Sequence, residues 1–197
     1  MVIKFNDMDA RLAIRSQLLR NRRPGASALV VEELGIEHGA VRVDIAVVTD
    51  ILHGYEIKSA SDRLSRLPAQ VAAYSRCMDR ATLLTSEHHL AAATAMLPEW
   101  WGIKVLTAGK RGGIAIRTLK RASKNPAVSA FHLAHLLWRP ECILALTEKS
   151  CTGGASRMTR LQMYERIVAL YSLDDLRRFV RRALVARSGW RSPEPKL

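Results

Sequence analysis

Three short apolar runs, residues 28–34, 41–48 and 51–58, follow one another with only brief connections, and this spacing constrains the fold more than any other feature of the chain. Each is rich in valine, isoleucine or leucine and bounded by turn residues, Gly39 among them, as buried strands are. Three such strands near the start of a chain require a sheet, and the segments around them must supply its cover.

Those segments read as helices alternating with further strands. Residues 7–20 place Met8, Leu12, Ile14, Leu18 and Leu19 at three- and four-residue steps, the pattern of an amphipathic helix, which Asn21-Arg22-Arg23-Pro24-Gly25 then ends. Residues 61–76 carry Leu64, Leu67, Val71 and Tyr74 at helical spacing, with Pro68 marking a first turn or a kink. Strands are expected over 81–85, 103–107 and 114–117, a helix over 88–97, and a hairpin turn at 110–113. Beyond Arg117 the pattern is helical: Asn125-Pro126 and Pro140 resemble helix starts, 156–171 and 172–187 read as helices, and Ser172 with Asp175 has capping-box spacing. Gly153-Gly154 is expected to be a flexible joint. The expected fold class is α/β, an α-β-β-β-α-β core with a central mixed sheet over 1–120, then a basic helical region over 121–190 and a loose tail over 191–197.

Charge bounds the partner. The 197 residues carry 31 Lys and Arg against 18 Asp and Glu, a formal +13, and from Thr118 onward there are 15 basic and 6 acidic residues, net +9. Such a surface attracts polyanions, so nucleic acid is the expected partner, although a ribosomal or membrane-surface protein shares the excess. No apolar run is long enough to span a bilayer, and the first residues carry charges where a secretory leader needs an apolar stretch. Cys77, Cys142 and Cys151 are odd in number and lack any C-x-x-C, which argues against a disulfide framework or a zinc ribbon and fits a reducing cytoplasm.

The chemistry concentrates on the second and third runs. Strand alternation puts Val41, Val43 and Ile45 on one face with Arg42 and Asp44 on the other, and it sets Glu56 beside Lys58. A hairpin would bring both carboxylates and the amine to one edge, the groups needed to hold a hard divalent cation and assist phosphodiester hydrolysis. Taken singly, Asp44 and Glu56 read as solvent-facing strand residues. Taken together, inside runs apolar enough to be buried on both faces, several charges need a purpose.

Asp44, then Glu56-Ile57-Lys58, then Gln70 and Tyr74 on the following helix resemble the PD-(D/E)XK nucleases with the Q-x-x-x-Y element of RecB-type nuclease domains. The stretch GYEIKSASDRLSRLPAQVAAY, with PEWWG downstream, resembles an uncharacterised bacterial branch of that superfamily. Val43 stands where the proline before the aspartate is usual. The resemblance implies a restriction-endonuclease-like core and a DNA nuclease, in repair, phage defence or mobile-element processing. It implies Mg²⁺ or Mn²⁺ held by Asp44, Glu56 and the Ile57 carbonyl, and Lys58 as the group that positions or activates water. Many relatives add a glutamate before the aspartate; Glu33 is the candidate, with Glu32 as its competitor.

Gln70 and Tyr74 share a helix face and could contact a DNA phosphate or orient the lysine, with core packing the alternative for Tyr74. Arg63 and Arg66 could steer the backbone or be merely solvated. The last helix offers Arg177, Arg178, Arg181 and Arg182 beside an apolar stripe; they could grip DNA or pair with Asp174 and Asp175, and the local +9 favours DNA. His132 and His135 lie in an all-round apolar segment, where core residues bonded to backbone are expected rather than zinc ligands. Trp100 and Trp101 read as packing. The expected partner is DNA, with a homodimer and any protein partner left open, and the competing reading is a DNA-binding or assembly module that keeps a nuclease fold without cutting.

Overall fold

The computed structural model describes residues 7–20, 28–109 and 114–187. The expected hairpin turn at 110–113, the 21–25 helix stop and the 191–197 tail fall outside these residues. The elements run α1 (Asp7–Arg20), β1 (Leu29–Ile36), β2 (Val41–Val48), β3 (Leu52–Lys58), α2 (Leu67–Cys77), β4 (Arg80–Ser86), α3 (Leu90–Thr94), β5 (Gly102–Ala108), β6 (Ile114–Lys120), α4 (Ala130–Ala134), α5 (Arg139–Glu148), α6 (Arg160–Leu170) and α7 (Leu173–Ala186).

The six strands form one mixed sheet in sequence order. β1, β2 and β3 are antiparallel, β3, β4 and β5 are parallel with α2 and α3 as crossovers, and β6 returns antiparallel to β5. The parallel centre explains the continuous apolar runs, because those strands are covered on both faces.

α1 covers one face, where Ala10 and Ile14 pack with Ile45, Tyr55, Ile57, Leu84 and Leu106. Met8 and Leu12, expected on its buried side, are exposed instead; the apolar seam runs through Ala10, Ile14 and Leu18. α2 covers the opposite face, and the C-terminal helices join the same apolar cluster through residues such as Leu137, Met163, Phe179 and Leu184.

Several boundaries differ from the sequence reading for local reasons. The helix expected from residue 61 begins at Leu67, preceded by a 3-10 turn over Leu64–Arg66, with Pro68 in its first turn. Asn125-Pro126 does not start a helix. The Asn125 side-chain amide donates instead to the Ser75 and Met78 carbonyls at 2.8 Å each, which ties the chain after β6 to the end of α2. α4 starts later, capped by Ser129. Gly154 takes φ +75° in a closed turn, and α5 and α6 on either side of it pack into the common core.

Asp79, between α2 and β4, is the polar keystone. Its Oδ2 accepts from the Leu52 N–H at 2.8 Å and its Oδ1 lies 2.9 Å from Arg177 Nε on α7. Arg177 is nearly buried, so removing the carboxylate would strand the Leu52 N–H and leave the cation only its pairing with the exposed Asp174. Asp79→Ala is expected to cost about 3 kcal/mol, read as a lower urea midpoint; a loss below about 1 kcal/mol would show that the pair is dispensable.

Candidate functional site

β2 and β3 pair from Val48 and Leu52 up to Ile45 and Tyr55 and then part. Beyond that point β3 stays in the sheet through β4, from Glu56 opposite Leu83 to Lys58 opposite Thr85, while β2 continues with β1. Asp44 and Glu56 sit at the fork. The N–H of Ile57 has lost its ladder partner on the β2 side, and Asp44 Oδ2 accepts it at 2.7 Å.

The fork also breaks the alternation expected along β2. Val43 packs in the cluster under α2 and the C-terminal helices, whereas Ile45 packs against α1, so these two do not share a face. β1 shifts in the same place: Val31 and Leu34, three apart, lie in one cluster. The residue between, Glu33, has φ +55° and falls opposite Asp44, between the pairs Glu32–Ile45 and Leu34–Val43. A non-glycine residue in this region is strained and must be held by its surroundings.

Arg11 of α1 supplies that hold. Its guanidinium lies 2.6 Å from Glu33 Oε1 and 2.8 Å from Asp44 Oδ1, bridging the two acids. Glu32 turns toward Arg15 at 3.4 Å. On β3, alternation holds: Glu56 is fully buried, Lys58 Nζ donates to its Oε1 at 2.6 Å, and the Tyr74 phenol donates to its Oε2 at 2.7 Å. Tyr74, itself buried against Trp101, thus serves both as packing and as a polar anchor.

A cleft of about 650 Å³ opens over the fork. Glu33, Asp44, Glu56, Ile57 and Lys58 line one side, and Arg66 and Gln70 at the start of α2 line the other. Gln70 Oε1 is buried there with no hydrogen-bond partner among the described residues. Arg63 does not line it. Arg11, Arg42 and Asp62 do, and sequence reasoning missed all three. For Asp62 a signal existed: with Ser59 it closes a four-residue turn directly after the E-x-K stretch, accepting from the Ser59 N–H and Oγ at 2.7 Å.

The cleft's β1–β2 wall is braced from behind. Glu37 in the turn pairs with Arg76 of α2, and the His38 ring lies 4.4 Å from that of His135. His132 bonds Ser129 Oγ at 2.9 Å and both His135 ring nitrogens are buried without partners among the described residues, so neither ring takes the expected bond to backbone there. Trp101 is fully buried packing, as its sequence context suggested.

The arginines of α7 lie elsewhere. Arg177 and Arg181 turn inward onto Asp79, at 2.9 and 3.7 Å, Arg178 pairs with Asp175, and Arg182 reaches Glu148 at 2.6 Å. This is the paired alternative weighed from the sequence, with Asp79 and Glu148 as added partners.

A comparison with protein-family models matches residues 3–193 to the family described as Bacteriophage P4 protein cII. The chain belongs to that family. No curated protein and no solved structure matches this P4 cII family member, and the family's name states no activity, so the chemistry has to be read from the cleft.

Burial, and next the charge of Glu56, push the Asp44 carboxyl up to about 7; the Ile57 N–H, Arg11 and Lys58 pull the other way. Burial first, then the Glu56 and Asp44 charges, hold the Tyr74 phenol protonated, as its donation to Glu56 requires. Two acids pressed together in a half-dry fork could hold a cation, and the candidate oxygen ligands are Asp44, Glu56 and Glu33. Among the described residues no group of three His, Cys, Asp or Glu side chains is arranged as a ready metal cage.

The raised Asp44 pKa has a thermodynamic consequence. Between its ordinary value of 3.8 and about 7 the folded chain binds a proton that the unfolded chain does not, so this group's contribution to stability falls as pH rises through that window. His53 and His135, held down by burial to about 3 and about 4, act oppositely and lose stability on acidification below about 6.5. The difference between wild type and Asp44→Asn isolates the aspartate. We expect the variant to gain on the wild type by about 1–3 kcal/mol between about pH 5 and about pH 8 in thermal denaturation. A difference independent of pH would contradict the burial argument.

Proposed function

We propose that the chain is a metal-dependent DNA nuclease built on a restriction-endonuclease-like core, with Asp44, Glu56 and Lys58 as its reacting centre. One observation carries this reading: where β2 and β3 part, the half-buried Asp44, the fully buried Glu56 and a lysine ion-paired to Glu56 meet in a single cleft. Charges that served structure alone would not be gathered at the desolvation cost of this fork.

The donor set is all oxygen, which suits Mg²⁺ or Mn²⁺, with Asp44, Glu56 and the Ile57 carbonyl as its holders and Glu33 as the further acid. Bound there, the cation lowers the pKa of water and neutralises charge at the phosphate. The chain's own groups do the rest. Glu56 and Tyr74 fix each other, and Glu56 holds the Lys58 ammonium where it can donate to the attacking water or to the phosphate oxygen. Arg42 and Arg66 in the cleft offer cations to the neighbouring phosphates, and Gln70 Oε1 offers an acceptor that still lacks a donor. Arg11 must release Asp44 for a metal to replace it.

Supercoiled plasmid incubated with the wild type and Mg²⁺ or Mn²⁺ is expected to be nicked or linearised, and chelation should stop the reaction. Cleavage undiminished in Asp44→Ala, Glu56→Ala and Lys58→Ala alike would end the proposal.

A second reading has its own support. Arg11 and Lys58 already neutralise the two acids, as in a DNA-binding module that keeps a nuclease fold and binds no metal. Such a module would bind DNA equally well with and without divalent cations, whereas the nuclease reading ties Asp44 to both metal binding and cleavage.

A further inference from the structure

The end of the sheet away from the cleft, where β3 and β4 begin, carries a second concavity of about 320 Å³. Five cationic side chains line it: Arg80 at the first position of β4, Lys124 on the strap after β6, and Arg177, Arg178 and Arg181 of α7. Three acids, Asp50, Asp79 and Asp174, share the lining, so cations exceed acids by two.

The committed charges can be separated from the rest. Arg177 is held by Asp79 and Asp174, Arg181 by Asp79, and Arg178 by Asp175. Arg80 and Lys124 are exposed and have no ion-pair partner among the described residues. Both sit on fixed backbone. Arg80 is paired with His53 in the β3–β4 ladder, and Lys124 precedes Asn125, whose buried amide is stapled to α2. Two cations held on rigid elements bind an anion with little ordering cost.

We propose that this groove takes a phosphodiester of a nucleic-acid strand, with Arg80 and Lys124 as the contacting cations and the Asp79-anchored arginines as its wall. It rests on the nucleic-acid partner proposed above and adds a contact remote from the cleft. With Asp175 set against Arg178, five cations face four acids, and the net of one charge fits a single phosphodiester, itself singly charged, and not a polyphosphate. Ile51 is the one large apolar side chain among the residues lining the groove, too little for a lipid layer to bury. The α7 arginines therefore act by shaping the groove, and the contacts fall to two residues that the helix pattern did not mark.

The test is fluorescence anisotropy of a labelled duplex with wild type, Arg80→Ala/Lys124→Ala and Lys124→Glu, in chelator so that nothing is cut, over a range of salt. The double variant is expected to keep the wild-type melting temperature, bind about 10-fold more weakly, and show a log–log salt slope smaller by about 1; Lys124→Glu should weaken binding on its own. Wild-type binding with both variants unchanged overturns the groove and leaves the nuclease reading standing. A wild type that binds no nucleic acid overturns both. Titrated inorganic phosphate that shifts amide resonances around Arg80 and Lys124, with duplex affinity untouched by the substitutions, assigns the groove to a small anion and overturns the proposal.

Discussion

Glu56→Gln is expected to lower metal-dependent cleavage on the order of a thousandfold and, separately, to destabilise the chain by about 3 kcal/mol. The two effects have different origins. The carboxylate is the fully buried one, and its charge is what would hold a cation; the amide cannot replace it. The same charge neutralises Lys58, whose ammonium lies 2.6 Å away and is itself buried, so the amide leaves an uncompensated cation in the core. Adding Lys58→Met removes that cation. The double variant Glu56→Gln/Lys58→Met should therefore recover most of the lost stability in urea denaturation and none of the cleavage. A double variant that stays as unstable as the single one would mean that the ion pair is not what couples these residues. One that cuts normally would remove both from the chemistry.

Gly54→Ala should be nearly as damaging, and through geometry alone. A Cβ at this position would lie 2.9 and 3.0 Å from the Cε1 and Cδ1 atoms of Tyr74 and 3.3 Å from Met78 Cγ. Tyr74 cannot step aside cheaply, because its ring is fully buried against Trp101 and its hydroxyl is fixed on Glu56. Overpacking of this kind costs about 1–3 kcal/mol, or roughly 2–12 °C in a chain of this size. Because the displaced ring is the one that orients Glu56, cleavage should fall as well, and Gly54→Val should be worse than Gly54→Ala in both respects. An alanine variant with wild-type melting and wild-type cleavage would show that β3 and α2 have slack the packing does not suggest.

The parts of the site carried by one strand or one helix were legible before any coordinates. Glu56 and Lys58 meet because side chains two apart on a strand share a face, and Gln70 and Tyr74 follow from helix spacing. The strands followed from short apolar runs set between helical patterns, whereas their pairing directions did not. What could not be read depends on partners distant in sequence. The break in alternation at Asp44 accompanies Glu33 at φ +55°, and both acids pair with Arg11, more than twenty residues earlier. Arg177 and Arg181 read as a grip on DNA, or as partners of Asp174 and Asp175, because the helix pattern does not show Asp79, about a hundred residues earlier, toward which they turn. Asn125 resembled a helix start because a staple between its amide and the α2 carbonyls leaves no trace in its neighbours.

The most direct test is a calorimetric titration of Mn²⁺, at about pH 8, into the wild type and into Asp44→Asn, each mixed with a duplex whose phosphorothioate linkages resist cutting. The wild type should take up the ion with measurable heat and the variant should lose that signal while still holding the duplex. Identical titrations of the two, with or without heat, would contradict the assignment of this fork as a cation-dependent nuclease site.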